Sequence, residues 1–223
     1  MLDISGHGYH VQNISNVSVQ TKGFSTVENH SYWLSSNVTG IFPIDPSWSG
    51  ATMIVWFATT VGQMAFWDNR VTNTNSTSYG PSLIMGLNVN GIIGLGGSSA
   101  GTVTIGINGD NIWSSAQTST AWNDGHWHMA AAIWNPAGST TANSSQFSIV
   151  VDGVQQNVGT FDNQSYRASV PFYGVTNYSL NNGIANPNNI SLAHIAFLPS
   201  PVSVGTIQQL YSTALSESFW GQY

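Results

Sequence analysis

The groups in this sequence that could do chemistry are nine carboxylates, six histidines and a dense set of aromatics. Glycoside hydrolysis needs two carboxylates flanking the scissile bond. The only glutamates, Glu28 and Glu217, lie far apart in the chain, and no predicted strand carries two acids two to five residues apart. Asp68, Asp110 and Asp124 could meet only through the fold. The expectation is therefore a protein that does not cleave glycans. His126 and His128 are two residues apart and would face the same way on a strand. Zinc would need further ligands, and none stands near them in sequence. Gly94-Leu95-Gly96-Gly97 is not a dinucleotide fingerprint, because Ser99 occupies the place of the third glycine and no helix is predicted to follow.

The aromatics offer a different chemistry. Sugars are held by stacking on aromatic faces together with hydrogen bonds from amides and hydroxyls. Trp67-Asp68-Asn69-Arg70 and Trp122-Asn123-Asp124 supply both within four residues or fewer. Trp113, Tyr173 and Tyr178 stand at predicted strand ends or in loops and join Trp67, Asn69, Arg70, Trp122 and Asn123 as candidate glycan-binding residues. The competing reading is that tryptophans at strand ends cap a sandwich or fill a subunit interface, where aromatics are enriched. Trp56 and Trp127 are expected in the core.

Composition narrows the partners. Charged residues make up 5% of the chain, against about 25% in ordinary soluble domains. Lys22, Arg70 and Arg167 are the only basic residues, and they cannot build a cationic stripe for phosphates. Nucleic acid is excluded as a partner on that ground. No run of about 18 apolar residues exists, so no helical membrane span is expected. There are no cysteines, which excludes disulfides and thiolate chemistry. A surface of Asn, Ser, Thr and Gln implies broad, polar and aromatic contacts with little salt dependence, and a homo-oligomer is expected.

The elements that must position these groups read as strands. Residues 124–153 are the clearest stretch. Trp127, Met129, Ala131 and Ile133 alternate with His126, His128, Ala130 and Ala132, and Phe147, Ile149 and Val151 alternate with Ser148 and Val150. Asp152-Gly153 is a tight-hairpin signal. A second sheet is expected to cover the face that carries Trp127, Met129, Ala131 and Ile133. Further strands are predicted at 17–22, 23–27, 30–34, 51–60, 64–67, 82–87, 91–95, 103–107, 111–113, 167–173 and 190–198. The one helix predicted spans 204–212, with Ile207, Leu210 and Tyr211 on one face. Many short strands with regular turns predict an all-β protein: a two-sheet antiparallel sandwich formed by a single domain over 1–223. Met1-Leu2-Asp3 shows no secretory leader, so the chain is read as a piece of a longer protein or one made without secretion.

Three segments, in order, carry a family resemblance. Asp3-Ile4-Ser5-Gly6-His7-Gly8-Tyr9-His10 opens the chain, Trp127-His128-Met129-Ala130 with Val151-Asp152-Gly153 forms its middle, and Ile190 to Phe197 with Val204 to Tyr211 closes it. Together they resemble the laminin-G-like group of the concanavalin A-like lectin/glucanase superfamily. The resemblance implies a jelly-roll sandwich with a short C-terminal helix. It makes His128 a residue of the sheet rather than a ligand. The hydrolases of the superfamily carry Glu-x-Asp-x-x-Glu on one strand, and that motif is absent. The resemblance also implies a structural calcium at Asp3, although Ser191 and Leu192 stand where acidic partners are usual in the closing strand. As in the lectin-like domains of bacteriophage structural proteins, which the His194–Tyr211 tail resembles, the implied setting is a virion surface. The partners would be host-cell glycan or other virion proteins. The alternative is an adhesion or carbohydrate-binding module of a secreted microbial protein, with a glycan-cleaving enzyme as the outsider. If calcium is structural, chelation and Asp3→Asn should each lower the melting temperature. An unchanged melting temperature in both would remove the calcium site.

Overall fold

The computed structural model describes residues 14–15, 17–20, 23–26, 33–34, 50–68, 82–88, 99–109, 112–135, 144–162, 190–198 and 200–216. The strands are β1 (Ile14–Ser15), β2 (Val17–Gln20), β3 (Gly23–Thr26), β4 (Trp33–Leu34), β5 (Ala51–Thr59), β6 (Met64–Asp68), β7 (Ser82–Leu87), β8 (Thr102–Gly109), β9 (Ile112–Ala121), β10 (His128–Asn135), β11 (Ser144–Val151), β12 (Val154–Asp162) and β13 (Ile190–Leu198). Among the described residues one helix, α1 (Val204–Ser216), follows. A seven-stranded sheet has the order β12-β11-β10-β5-β13-β3-β2, a four-stranded sheet has the order β6-β7-β8-β9, and β1 pairs with β4. Every pairing is antiparallel. The architecture is an all-β, jelly-roll sandwich with one short C-terminal helix: the strand pattern predicts the sandwich, and the family resemblance implies the jelly roll. Among the described residues no helix is long and apolar enough to cross a membrane.

The large sheet is buried on both faces at its centre. Strands β5 and β10 are apolar almost throughout, which suits strands with no solvent side. Met53, Val55 and Phe57 of β5, Ala130, Ala132 and Trp134 of β10, and Phe147, Ile149 and Val151 of β11 meet Met64, Phe66, Met85, Leu87, Val103, Ile105 and Ala116 of the small sheet. The intervening residues Ile54, Trp56, Met129, Ala131, Ile133 and Val150 point the other way and lie under Ile207, Tyr211, Val204 and Ala214 of α1. The expectation that a second sheet covers the Trp127, Met129, Ala131 and Ile133 face is therefore corrected. The helix covers that face, and the second sheet covers the alternate face that begins at His128. Ala130, Ala131 and Ala132 made the two faces nearly equivalent in hydrophobicity, so alternation alone could not assign them.

Helix α1 is placed by short-range chemistry. Ser203 caps it: Thr206 N donates to Ser203 Oγ at 3.1 Å and Ile207 N to Ser203 O at 3.1 Å. The segment leading into it is held on β5, where Thr52 Oγ1 donates to Ser200 O and accepts from Val202 N, both at 2.9 Å. Tyr211 stacks on Trp56 with ring centroids 5.7 Å apart. The predicted helical face is partly corrected, since Leu210 is 45% exposed while Ile207 is fully buried. The helix also rests on the turn after β11. Asp152 and Gly153 have φ of 50° and 74°, the pattern of a two-residue I′ hairpin. A Cβ on Gly153 would lie 3.1 Å from Tyr211 Cδ1.

Among the longer strands, β9 and β12 depart furthest from expectation. β9 extends well past 113, and β12 had no predicted counterpart. Both are rich in Ser, Thr, Gln and Asn, and each is an edge strand of its sheet. The two edges are stitched across the sandwich by Asn157 Nδ2, which donates to Gln117 O at 2.6 Å. The predicted strands at 91–95 and 167–173 lie outside the described residues. Phe57 is completely buried, so Phe57→Ala should destabilise by ~3–5 kcal/mol in urea denaturation. Trp127 is only partly buried, against the expectation of a core residue, so Trp127→Ala should cost clearly less than Phe57→Ala. Equal costs would contradict this placement.

Candidate functional site

Three loops converge at one end of the sandwich: residues 60–63 between β5 and β6, residues 99–101 ahead of β8, and residues 122–127 between β9 and β10. Backbone hydrogen bonds tie them together. Gly101 N donates to Gly62 O at 2.7 Å, Trp122 N to Gly101 O at 2.8 Å, and Gly125 N to Thr59 O at 2.9 Å. Asn123 Nδ2 donates to Thr60 O at 3.3 Å. Gly101 has φ of 82°, and a Cβ there would fall 2.0 Å from Asn123 Oδ1, so only glycine fits. The indole of Trp122 packs against the core between the sheets. Its Nε1 is buried without a hydrogen-bond partner among the described residues, so the ring serves here mainly as a hydrophobe.

Beneath this loop end lies a charged group in an otherwise apolar strand. His128 opens β10, and its side chain is only 11% exposed. Its Nδ1 lies 2.7 Å from Asp152 Oδ2 and its Nε2 lies 3.0 Å from Asp124 Oδ1. Ionised carboxylates can only accept hydrogen bonds, so a histidine bonded to two of them must donate from both nitrogens and carry a positive charge. Asp152 is itself fixed: Met129 N donates to its Oδ1 at 2.9 Å, and Asp152 N donates to Met129 O at 2.9 Å. Asp124 accepts from His126 N at 2.8 Å. Trp122 approaches the His128 ring edge-on with centroids 5.1 Å apart, and Phe57 lies 5.8 Å away.

This geometry moves two protonation equilibria. The hydrogen bond to Asp152 raises His128 above its ordinary 6.5; burial opposes it and Asp124 adds to it. The Asp124 carboxyl is lowered to about 2, chiefly by the His126 backbone N–H, against a desolvation cost and with help from His128. His126 is a different case from its neighbour. Its side chain is 82% exposed, in a bend outside the strand, so the two histidines do not form the side-by-side pair their spacing suggested. No group of three or more metal-binding side chains occurs among the described residues.

Of the sequence-predicted glycan residues, the structure brings Trp122 and Asn123 into the loop end. Trp67 lies on β6 opposite Met85, at the far edge of the small sheet from β9. Trp113 pairs with Asn108 near the opposite end of β9 from Trp122. Asn69, Arg70, Tyr173, Tyr178 and the calcium candidate Asp3 lie outside the described residues. The Asp124–His128–Asp152 bridge was missed by sequence reasoning, because the two aspartates are brought together only by the fold. Gly97-Ser98-Ser99-Ala100-Gly101 has the spacing of a nucleophile elbow. That motif requires a helix after the serine, and here a turn and strand β8 follow Ser99.

The sign of the pH dependence follows from the two shifts. The folded value of His128 lies above its unfolded 6.5, so its stabilisation is complete below pH 6.5 and is lost as pH rises through the folded value. Asp124 acts in the opposite sense, stabilising above its unfolded 3.8 and losing this as pH falls through about 2. Calorimetry should place the highest melting temperature between about pH 4 and 6.5. His128→Gln should flatten the fall on the alkaline side, and an unaltered alkaline limb would contradict the bridge.

No protein-family model matches the chain, and no curated protein matches it in sequence. Solved structures do match in shape. The receptor-binding domain of botulinum neurotoxin C/D mosaic serotype is similar with a TM-score of 0.62 at 11% identity, over 96% of this chain and 49% of that one. The botulinum neurotoxin serotype D ligand-binding domain in complex with N-acetylneuraminic acid gives 0.60 at 13% identity, over 96% and 48%. The serotype G binding domain gives 0.55 at 10%, over 96% and 49%. The chain thus spans about half the length of the toxin domains it matches. At these identities the likeness is one of fold alone, that of a jelly-roll sandwich.

Proposed function

We propose that this chain is a non-catalytic, lectin-like recognition domain of the laminin-G-like group, borne on a virion surface such as a bacteriophage tail, fibre or capsid. There it would recognise host glycan, assemble with copies of itself and other virion proteins, or do both. The observation that carries the glycan reading is the loop end around Trp122 and Asn123. It is held rigid by backbone hydrogen bonds and presents hydroxyl, amide and carboxylate groups from Thr60, Asn123 and Asp124. A preorganised polar surface loses little entropy on binding, which suits a hydroxyl-rich ligand of low charge. The matched solved structures are binding domains, which supports recognition rather than turnover. The low charge and the family resemblance support the virion setting, and the same resemblance supports a structural calcium at Asp3. Trp67, Asn69, Arg70, Trp113, Tyr173 and Tyr178 remain candidate contacts for a second glycan position or an interface.

Assembly has its own support. Val154 and Val158 on edge strand β12 are 58% and 42% exposed, and Leu210 on α1 is 45% exposed. Apolar side chains on an edge strand favour association when little charge opposes it. The secreted adhesion module is the alternative setting for the same binding chemistry.

The reading is tested on a glycan array that includes bacterial surface polysaccharides, with subunit mass followed by light scattering. Thr60→Ala and Asn123→Ala should each weaken retained-glycan binding at least tenfold at unchanged mass. Unchanged glycan binding with release of monomers would instead make this end a subunit interface and overturn the glycan assignment.

A further inference from the structure

The Asp124–His128–Asp152 bridge does more than neutralise a buried charge, because it joins two separate segments. Asp152 belongs to the β11–β12 turn, and Asp124 belongs to the 122–127 loop. Its two halves are unequal. The Asp152 half is shorter, at 2.7 Å against 3.0 Å, and the Asp152 side chain is 21% exposed against 56% for Asp124. Asp152 also has two backbone bonds to Met129 that do not depend on the histidine. A neutral imidazole has one N–H and can serve only one ionised carboxylate. The proton that remains belongs on Nδ1, facing Asp152, and the carboxylate released is the exposed one, which water can solvate.

We propose that His128 is a proton-operated latch on the 122–127 loop: protonated, it fixes the Asp124 carboxylate at the loop end, and on losing a proton it keeps Asp152 and lets Asp124 go. The regulation it implies rests on the reading of that loop end as the glycan site. Every hydrogen bond given to Asp124 by the described residues ends on Oδ1. In the latched state Oδ2 is therefore held in a fixed direction and left free to accept a hydroxyl from a ligand. Unlatching does not dissolve the loop, because the bonds of Trp122, Asn123 and Gly125 to Gly101, Thr60 and Thr59 remain. It leaves the Asp124 carboxylate held only from within its own loop, by His126, and so frees the direction of one acceptor of the site.

Three segments bring ionisable groups to His128. The loop contributes Asp124 and His126, and the β11–β12 turn contributes Asp152. Helix α1 contributes Tyr211, whose hydroxyl is pushed up first by burial and then by the charge of Asp152. Phe57 of β5 and Trp122 do not titrate. None of Lys22, Arg70 and Arg167 is among the described residues; the other imidazole near this bridge is His126, 82% exposed, whose Nδ1 lies 3.3 Å from Asp124 Oδ1. Hydrogen bonding to two carboxylates raises His128, so the latch is closed below pH 6.5 and opens as pH rises through the raised value.

The test is an NMR titration of the unliganded protein from pH 5 to pH 9, following the His128 ring and the backbone amides of Gly125 and His126. The expected result is one shared midpoint above 6.5. In Asp124→Asn, the His128 midpoint should fall and the loop amides should stop following it. In His128→Gln, the loop amides should sit near their high-pH positions throughout. A His128 midpoint at or below 6.5, or loop amides that stay still while it titrates, would overturn the latch. The array glycan bound most tightly at pH 6 should bind several-fold more weakly at pH 9. Equal affinity at both pH values would overturn the latch's control of the site and leave the glycan reading standing. Shared titration in a protein that retains no glycan would uphold the latch and remove the glycan reading.

Discussion

Strand β10 has no side facing water, and this constraint governs much of the rest of the structure. One face of it needs the small sheet, and the other needs a cover that none of the described strands provides. Helix α1 supplies that cover, which explains why an all-β chain ends in a helix whose Ile207 is fully buried. The three alanines 130–132 keep both layers close to the strand. Thr52, Ser203 and the Tyr211–Trp56 stack are the local means by which the helix is brought to that face.

A doubly buried strand must still begin somewhere, and it begins at His128. A neutral apolar residue there would leave the carboxylates of Asp124 and Asp152 facing one another without a cation between them. The imidazolium satisfies both, and in doing so ties the hairpin turn beneath α1 to the loop end that carries Trp122 and Asn123. Fold and candidate site thus share one charged group. The site's rigidity depends partly on bonds that are indifferent to pH, from Gly101, Gly125 and Asn123, and partly on one that is not.

What could be read in the sequence follows the same physics. The strands with strong apolar alternation, β5, β10 and β11, were legible, and so was the Asp152-Gly153 turn, because its backbone needs positive φ at both positions. The faces of β10 were not, since Ala130 and Ala132 are as acceptable to a sheet as Met129 and Ile133 are to a helix. β12 and most of β9 were hidden because Ser, Thr, Gln and Asn carry little periodic signal, and only their pairing to β11 and β8 makes them strands. Trp122 and Asn123 were legible as a loop pair. Asp124 and Asp152 were each visible as acids, but nothing in their separation along the chain announces a shared histidine.

The claim that one protonated histidine couples the β10 end to the loop is most directly measured by a double-mutant cycle. His128→Gln and Asp124→Asn, singly and together, would be compared in urea denaturation at pH 6 and at pH 9. The account predicts a coupling of about 0.5–1 kcal/mol at pH 6, held down by the solvent exposure of Asp124, that disappears at pH 9. Additive single-site effects at pH 6, or a coupling of the same size at both pH values, would contradict it.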